Sequence, residues 1–581
     1  MTFALRQTPV KAAGVPVPLA MPDQDFHQRF RDTAAPGVAA GGAPTAARVF
    51  VLGLPVLISL WLVQVSLGWF GVDGRLSAVE WMLAVGTGIA CYWMAVSVAA
   101  ALLGMFRRPV LAAQNVLGMV VPGQRVAILL PMYGEPARAT IGAAVILLAA
   151  MAGRDHRHVF SLHVLSDSRD PDALLAERRA VHILRERHPG LSIHYRHRTE
   201  NADFKSGNIR HWLRLSGAEF DAALVLDADS LMGRTTVLRL VDTLAADPAC
   251  GLVQSLPSVL PGTSLWQRMQ SFASQVYGAN LGRGFAAWTG NEGNYLGHNA
   301  VLRIRAFAAS AGLPHLTGPR PLGGVILSHD FVEAALLRRA GWGVRMVPEA
   351  TDSHEETPPA LPGYLRRDRR WCQGNMQHLR LLAMPGLHWV SRFHLMQGAV
   401  SYLSSVWWLC LLILWALLQQ GAAVPGGSPG PSVSQGALAG VIAALLLGPK
   451  IVGVVAYLRA SPPPKGRRAA FAVSLITEVL LAILLAPMLM VHQVRAVVMT
   501  LAGYDGGWAP HLAGRPGFRA LTRFHAAETV IGTLLTGLVA AGLLSAWVLP
   551  VAVGLILTLP LSMIVACDVT RLRLFAPLVL R

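Results

Sequence analysis

The sequence predicts a bundle of membrane helices interrupted by one large, water-soluble α/β domain. Three observations carry that prediction. Hydrophobic residues make up 53% of the 581 and charged residues 14%, too apolar for a soluble protein. Long apolar runs flank the middle of the chain rather than fill it. Within the middle, short β-rich runs alternate with helical patterns, the signature of a layered domain around a mostly parallel sheet.

Taken in order, residues 1–47 are rich in Ala, Gly and Pro without periodicity and read as a flexible tail. No signal peptide is expected there, because the first apolar run starts only after Arg48. The runs 49–70 and 81–106 are each long enough to span a bilayer and form a pair over 48–106. Arg48 precedes that pair and Arg107-Arg108 follow it, so the positive-inside effect puts both outer ends, and the soluble domain over 109–392, in the cytoplasm.

Two further spans are expected within 393–458, at 396–419 and 436–458, joined by an uncharged loop and followed by Arg459, Lys465, Arg467 and Arg468. The run 471–494 is broken by Glu478 and Pro487 and has basic residues at both ends. It reads as an interfacial or re-entrant segment within 471–526. Two last spans over 527–567 and a short tail, 568–581, complete a bundle of about six to eight helices. Lys450, inside the fourth run, either snorkels to the interface or faces a polar pore. Trp407, Trp408 and Trp415 read as packing or interfacial residues.

The net charge of +18, from 50 basic and 32 acidic residues, does not imply nucleic acid. The basic residues border apolar runs, and no basic patch interleaved with aromatics occurs. Five scattered cysteines without C-x-x-C spacing exclude a zinc or disulfide framework. A P-loop, G-x-x-x-x-G-K-[ST], is absent, which counts against an ATP-driven transporter.

In the soluble domain, strands are expected at 126–130, 160–165, 191–196 and 221–226, with helices at 137–152 and 172–187. Ligands of such sheets gather at the carboxyl ends of the strands, and the chemistry-bearing residues stand there. Asp227-Ala228-Asp229 ends a hydrophobic strand, where two carboxylates can hold a hard cation such as Mg²⁺ or Mn²⁺ against a diphosphate. Asp229 is the expected metal ligand, with Asp227 nearer the nucleotide.

Glu135 and Asp167 follow the first two strands; each suits a ribose or base edge, and each alone suits a turn or a helix cap. Lys205, beside Gly207 and Asn208, fits a phosphate or a solvated loop. Asp330, at a helix start, is either a cap or a general base, with Glu333 one turn on as the weaker candidate. In Arg366-Arg367-Asp368-Arg369-Arg370-Trp371, guanidinium groups can meet a departing diphosphate and the indole a sugar ring, or the run is a membrane anchor.

The series Asp167, Asp227-x-Asp229, Asp330, Arg370-Trp371 resembles the D, D-x-D, (T/E)-D, Q-x-x-R-W order of processive family 2 glycosyltransferases of the cellulose and hyaluronan synthase type. Closer similarity is to the glucans biosynthesis glucosyltransferase H family. The matching segments are Leu130–Glu135, Glu200–Ile209, Tyr295–Ala300, Ser328–Glu333 and Arg369–Asn375. Arg367 stands where the synthases have Gln, and His329 where they commonly have Glu; both agree with the narrower family.

The resemblance implies a GT-A fold that uses UDP-glucose with inversion to build a β-linked, mainly β-1,2, backbone of osmoregulated periplasmic glucans. It implies Asp330 as base and Asp229, with Asp227, at Mg²⁺ or Mn²⁺. It implies Glu135, Asp167, Lys205, Asp227 and Arg370 at the nucleotide sugar, and Trp371, His298 and Asn299 at the acceptor glucan. Membrane lipid, a periplasmic glucan-processing protein and acyl carrier protein are the partners that family implies. By position, Tyr504-Asp505-Gly506-Gly507-Trp508 is a candidate gating loop.

Overall fold

The computed structural model describes residues 18–37, 45–70, 75–106, 121–152, 157–421, 435–506, 517–571 and 575. Arg107-Arg108, most of the uncharged loop before 436, Gly507-Trp508 and nearly all of the C-terminal tail lie outside them.

A seven-stranded sheet organises the soluble domain, in the order β3 (Ile193–His197), β2 (Val159–Ser166), β1 (Arg125–Met132), β4 (Ala222–Val225), β8 (Ala300–Arg303), β6 (Cys250–Ser255), β9 (Gly343–Val347). Only β8 runs antiparallel to its neighbours. The expected strands and the helices Ala137–Met151 and Pro171–Arg187 are all present, within a few residues of their predicted limits. Alternation along β1 sends Val126, Ile128 and Leu130 into one core and Ala127 and Leu129 into the other, so both faces are covered. Connections leave β1 toward β2 on one side while β4 lies on the other. That reversal opens a crevice at the carboxyl ends of β1 and β4. A small sheet of β5 (Leu231–Met232), β10 (Ser353–Glu355) and β7 (Ser258–Val259) closes the crevice beyond β4.

Five helices among the described residues are long and apolar enough to cross a membrane: Thr45–Gly68, Ala78–Phe106, Trp389–Ala416, Gly440–Ala460 and Lys465–Leu501. The first four match expectation. The fifth, Arg468–Leu501, is one unbroken helix long and apolar enough to cross, where an interfacial or re-entrant segment was expected. Both presumed interruptions are accommodated. Glu478, 4% exposed at its side chain, is paired with Lys450 and accepts a 3.0 Å hydrogen bond from the Tyr277 hydroxyl. Pro487 packs against Gly554, where a Cβ would come within 2.9 Å of the proline ring. The Lys450 ammonium pairs with Glu478 and lies 5.0 Å from the Tyr277 ring.

The last two expected spans differ as well. Ala526–Ala540 is only 15 residues long, and Ala546–Ile556 with Thr558–Val565 is a pair bent by 47° that makes at most one crossing. Helix Ala279–Thr289 of the soluble segment lies backbone to backbone against Ala78–Phe106. A Cβ on Gly284 would stand 1.8 Å from the Ala100 carbonyl oxygen, and the Asn280 amide donates to the Ala101 carbonyl at 2.8 Å. The soluble domain is thus packed directly on the long apolar helices.

Residues 18–37 also depart from expectation. They are an ordered strap across the soluble domain, with Met21, Gln24 and Asp32 buried. Arg48, expected as a charge anchor, donates to the Trp288 and Thr289 carbonyls and pairs with Glu292.

Candidate active site

The crevice is built from strand ends. After β4, the chain turns through Asp227–Ser230, where the Asp227 N–H donates to Ser230 Oγ at 2.9 Å and the Ser230 N–H returns to the Asp227 carbonyl at 3.0 Å. The Asp227 carboxylate is 39% open to the crevice and pairs with Lys205. Lys205 also donates to the Gly297 carbonyl at 2.8 Å. It reaches there because Asp203 and Phe204 both take left-handed conformations, φ +57° and +50°, just before helix Phe204–Ser216.

Burial pushes the Asp227 carboxyl up, but Lys205 and His298 outweigh it and hold the group near about 2. Asp229 shows the opposite balance. Burial, then the charges of Asp227 and Glu355, lift it to about 6 despite His298. His298 itself, against the penalty of burial, is raised to about 9 by Asp227 and by Glu355, whose carboxylate lies 3.2 Å from Nε2.

Asp227 and Asp229 are therefore crowded acidic groups, with Lys205 and His298 as the main counter-charges. No cluster of three or more His, Cys, Asp or Glu that could hold a metal occurs among the described residues. A hard cation that takes one or two carboxylates and completes its shell with phosphate oxygens fits such a pair. Asp229 is the freer ligand, since Asp227 is engaged by Lys205.

Across the crevice, Asp330 stands at the start of helix His329–Ala340. Gly297, at φ +91°, lets the chain pass close beneath it; a Cβ there would lie 3.2 Å from Asp330 Oδ2. Among the described residues the Asp330 carboxylate has no hydrogen-bond partner. Glu333, 3% exposed, is instead committed to His329, with Nδ1 3.1 Å away though poorly aligned for a hydrogen bond. Burial lowers the His329 pKa, but Glu333 and then Asp330 raise it overall. Glu333 is thus removed as a competing base.

Arg370, on helix Leu361–His378, is pulled down by burial and held up by Asp227, which puts its guanidinium in the same field. Trp371 is 41% exposed, with the Arg367 guanidinium 4.7 Å from its ring.

On the other flank, Asp167 is not free: Arg198 Nε and Nη2 both donate to its carboxylate at 2.7 Å. Arg198 also donates to the Ala202 and Phe204 carbonyls, so it fixes the turn that aims Lys205. Glu135 accepts from the Tyr133 N–H and is raised by burial first and by Asp227 and Glu177 as well.

The crevice brings together Glu135, Lys205, Asp227, Asp229 and Arg370, linked by the bonds and fields above, with Asp330 across Gly297 from Lys205. Asn299 is a correction. It is fully buried, and its amide donates to Ser353 Oγ at 3.0 Å and the His354 carbonyl at 3.3 Å, so it has no surface for an acceptor. His298 likewise belongs to the aspartates, held between Ser230 and Glu355 with 11% of its side chain exposed. Arg198 and Glu355 escaped the sequence reading, because neither sits in a recognisable motif and only folding reveals their partners.

The candidate gating loop meets the same helix. The Gln373 amide donates to Asp505 Oδ1 and its carbonyl oxygen accepts from the Gly506 N–H, both at 3.1 Å.

This combination of a mostly parallel sheet, a strand-end acidic pair and a bare carboxylate opposite is that of a nucleotide-sugar transferase. The model for Glycosyl transferase family group 2 matches residues 223–420. Glucans biosynthesis glucosyltransferase H of Vibrio cholerae serotype O1 is 37% identical over 572 residues, covering 94% of this chain and 78% of its own. Its counterpart in Shewanella sp. strain ANA-3 is 37% identical over 552 residues, covering 92% and 75%. The chain belongs to the glucans biosynthesis glucosyltransferase H family, and it is a hexosyltransferase. A mannosyltransferase from Pyrobaculum calidifontis, solved with GDP-Man and Mn²⁺, covers 72% of this chain and 99% of its own at 16% identity and a TM-score of 0.39.

Proposed function

We propose that this enzyme transfers glucose from UDP-glucose, with inversion, onto a growing glucan at the cytoplasmic face of a bacterial inner membrane. The product is the β-1,2-linked backbone of osmoregulated periplasmic glucans, which the membrane helices pass outward. The observation that carries this reading is the unpartnered Asp330 carboxylate facing the Lys205–Asp227 pair across Gly297.

Asp330 accepts the proton of the acceptor hydroxyl as that oxygen attacks the anomeric carbon. The bond from that carbon to the diphosphate breaks on the opposite side, and its electron pair leaves with UDP. Arg370 meets the charge that grows there. Asp229, assisted by Asp227, would hold Mg²⁺ or Mn²⁺, which when bound neutralises part of the diphosphate charge. Glu135 and the Asp167–Arg198 unit flank the nucleoside end, and the open face of Trp371 serves the acceptor. The 504–506 contact with Gln373 supports a loop that closes on this helix.

The strap before the first span and the soluble domain pack together, which supports a common side for both ends of the 45–106 helix pair. The reading is tested with purified enzyme in nanodiscs. UDP release from UDP-glucose and linkage analysis of the product should give β-1,2 glucan. A lipid-linked product, or none without a different sugar nucleotide, would refute it.

A further inference from the structure

The strap of residues 18–37 is separated in sequence from the soluble domain by two membrane helices, yet its bonds converge on the helix that presents Asp330. Arg339, in the last turn of His329–Ala340, donates to the Asp25 carbonyl at 3.0 Å, the Gln28 carbonyl at 3.3 Å and Gln24 Oε1 at 2.9 Å. Its guanidinium also lies 5.9 Å from the Phe30 ring. Just past the helix, the Trp342 indole donates to Asp32 Oδ2 at 3.0 Å, and the Asp32 N–H donates to the Ala340 carbonyl at 3.0 Å.

Gln24 is further tied to the domain. Its N–H donates to the Gly312 carbonyl at 3.0 Å and its side chain to the Ala309 carbonyl at 3.1 Å. A Cβ on Gly312 would fall 1.9 Å from the Pro22 carbonyl, so strap and domain meet backbone to backbone. The second grip is lighter: Arg210 of helix Phe204–Ser216 pairs with Asp23 at 2.6 Å, with both side chains partly in solvent.

We infer that Gln24 and Asp32 are positioning residues for the transfer step, holding helix His329–Ala340 so that Asp330 is registered against Gly297 and the Lys205–Asp227 pair. The inference rests on the proposed role of Asp330. At 1.5 Å per residue, the grip at Arg339 acts about 14 Å from Asp330 along a rigid rod. A small tilt at one end therefore displaces the carboxylate at the other. Misplacement on the order of 1 Å can cost about 100-fold in rate. The last turn has two polar ties: Arg338 donates to Glu292 Oε1 at 3.1 and 2.9 Å, and Arg339 and Trp342 direct their polar atoms to the strap, which is the tie the variants below remove. Asp23, acting through an exposed pair on the lysine helix, is expected to touch donor binding only slightly.

The test uses the full chain in nanodiscs with Gln24→Ala, Asp32→Ala, Asp32→Asn and Asp23→Ala. Steady-state UDP release and hydrogen exchange across 204–216 and 329–342 are followed together. Gln24→Ala and Asp32→Ala should lower kcat about ten- to 100-fold with donor KM within about twofold, and speed exchange in 329–342. Asp32→Asn, which keeps an acceptor for Trp342, should retain most of the rate. Asp23→Ala should leave kcat unchanged. The inference is overturned if kcat per folded enzyme stays within about twofold in both alanine variants, or if Asp32→Asn loses as much as Asp32→Ala. Absence of UDP release by the unmutated chain would instead refute the donor assignment, and the exchange data alone would then decide whether the strap holds the helix.

Discussion

The two walls of the crevice are built on opposite plans. On the wall proposed to take the donor most ionic groups are engaged: Asp227 with Lys205, His298 with Glu355 and Asp167 with Arg198. Asp229 and Arg370, the proposed metal and diphosphate contacts, have no hydrogen-bond or ion-pair partner among the described residues. On the facing wall Asp330 has no hydrogen-bond partner among the described residues, while its neighbour Glu333 is occupied by His329. A group that must take a proton during each turnover gains from bare lone pairs, whereas groups that receive a fixed diphosphate gain from being held in place beforehand. The donor wall should therefore respond to mutation as a network, and the base wall as a single point.

The largest expected effect follows from the bare carboxylate. Asp330→Asn should lower kcat by about 10²- to 10⁴-fold while UDP-glucose binding, measured calorimetrically, stays within about twofold. A loss of binding equal to the loss of turnover would move Asp330 to the donor wall and erase the contrast. Asp229→Ala should cost about 10²- to 10³-fold and abolish the response to added Mg²⁺ or Mn²⁺. Retention of full divalent-dependent activity would leave the acidic pair without its assigned role.

How far the sequence exposed these two walls follows the same division. Asp227, Asp229 and Asp330 were legible because each ends a strand or opens a helix whose hydrophobic pattern is local. Strands β1, β2 and β4 and the helices after β1 and β2 were legible for that reason too. What escaped is non-local. The strap looks like a tail because its order comes from Arg339 and Trp342, some 300 residues away, and not from any periodicity of its own. Helix Arg468–Leu501 was read as broken because Glu478 counts as a charge until Lys450 and Tyr277 are beside it. Asn299 and His298 shared a motif with true crevice residues, but the left-handed bend at Asn299, just before β8, buries it against β10, and Glu355 draws His298 behind the aspartates.

A smaller effect should come from Lys205→Met. Removing the ammonium leaves Asp227 without its main counter-charge, and its carboxyl should rise from about 2. Because that carboxylate is 39% open to solvent, the cost is well below that of a fully buried pair, about tenfold in kcat/KM for the donor. The network plan makes a sharper demand: Lys205→Met combined with Asp227→Asn should lose less than the product of the two single losses. Strict multiplicativity would mean that the donor wall is a set of independent groups.

The smallest effect on turnover is expected at Asn299, and it separates a structural residue from an acceptor contact. Asn299→Gly tolerates the φ of +50° but loses the bonds to Ser353 and His354, leaving the Ser353 hydroxyl short of a partner. Stability should fall by roughly 1–3 kcal/mol, read as a lower unfolding midpoint in denaturant. Turnover per folded molecule should stay within about twofold at every acceptor length. The His354 carbonyl that Asn299 binds belongs to β10, whose next residue, Glu355, holds His298 beside the aspartates. A rise in donor KM would therefore mean that β10 transmits strain to the donor wall, whereas an acceptor-length dependence would return Asn299 to the glucan path.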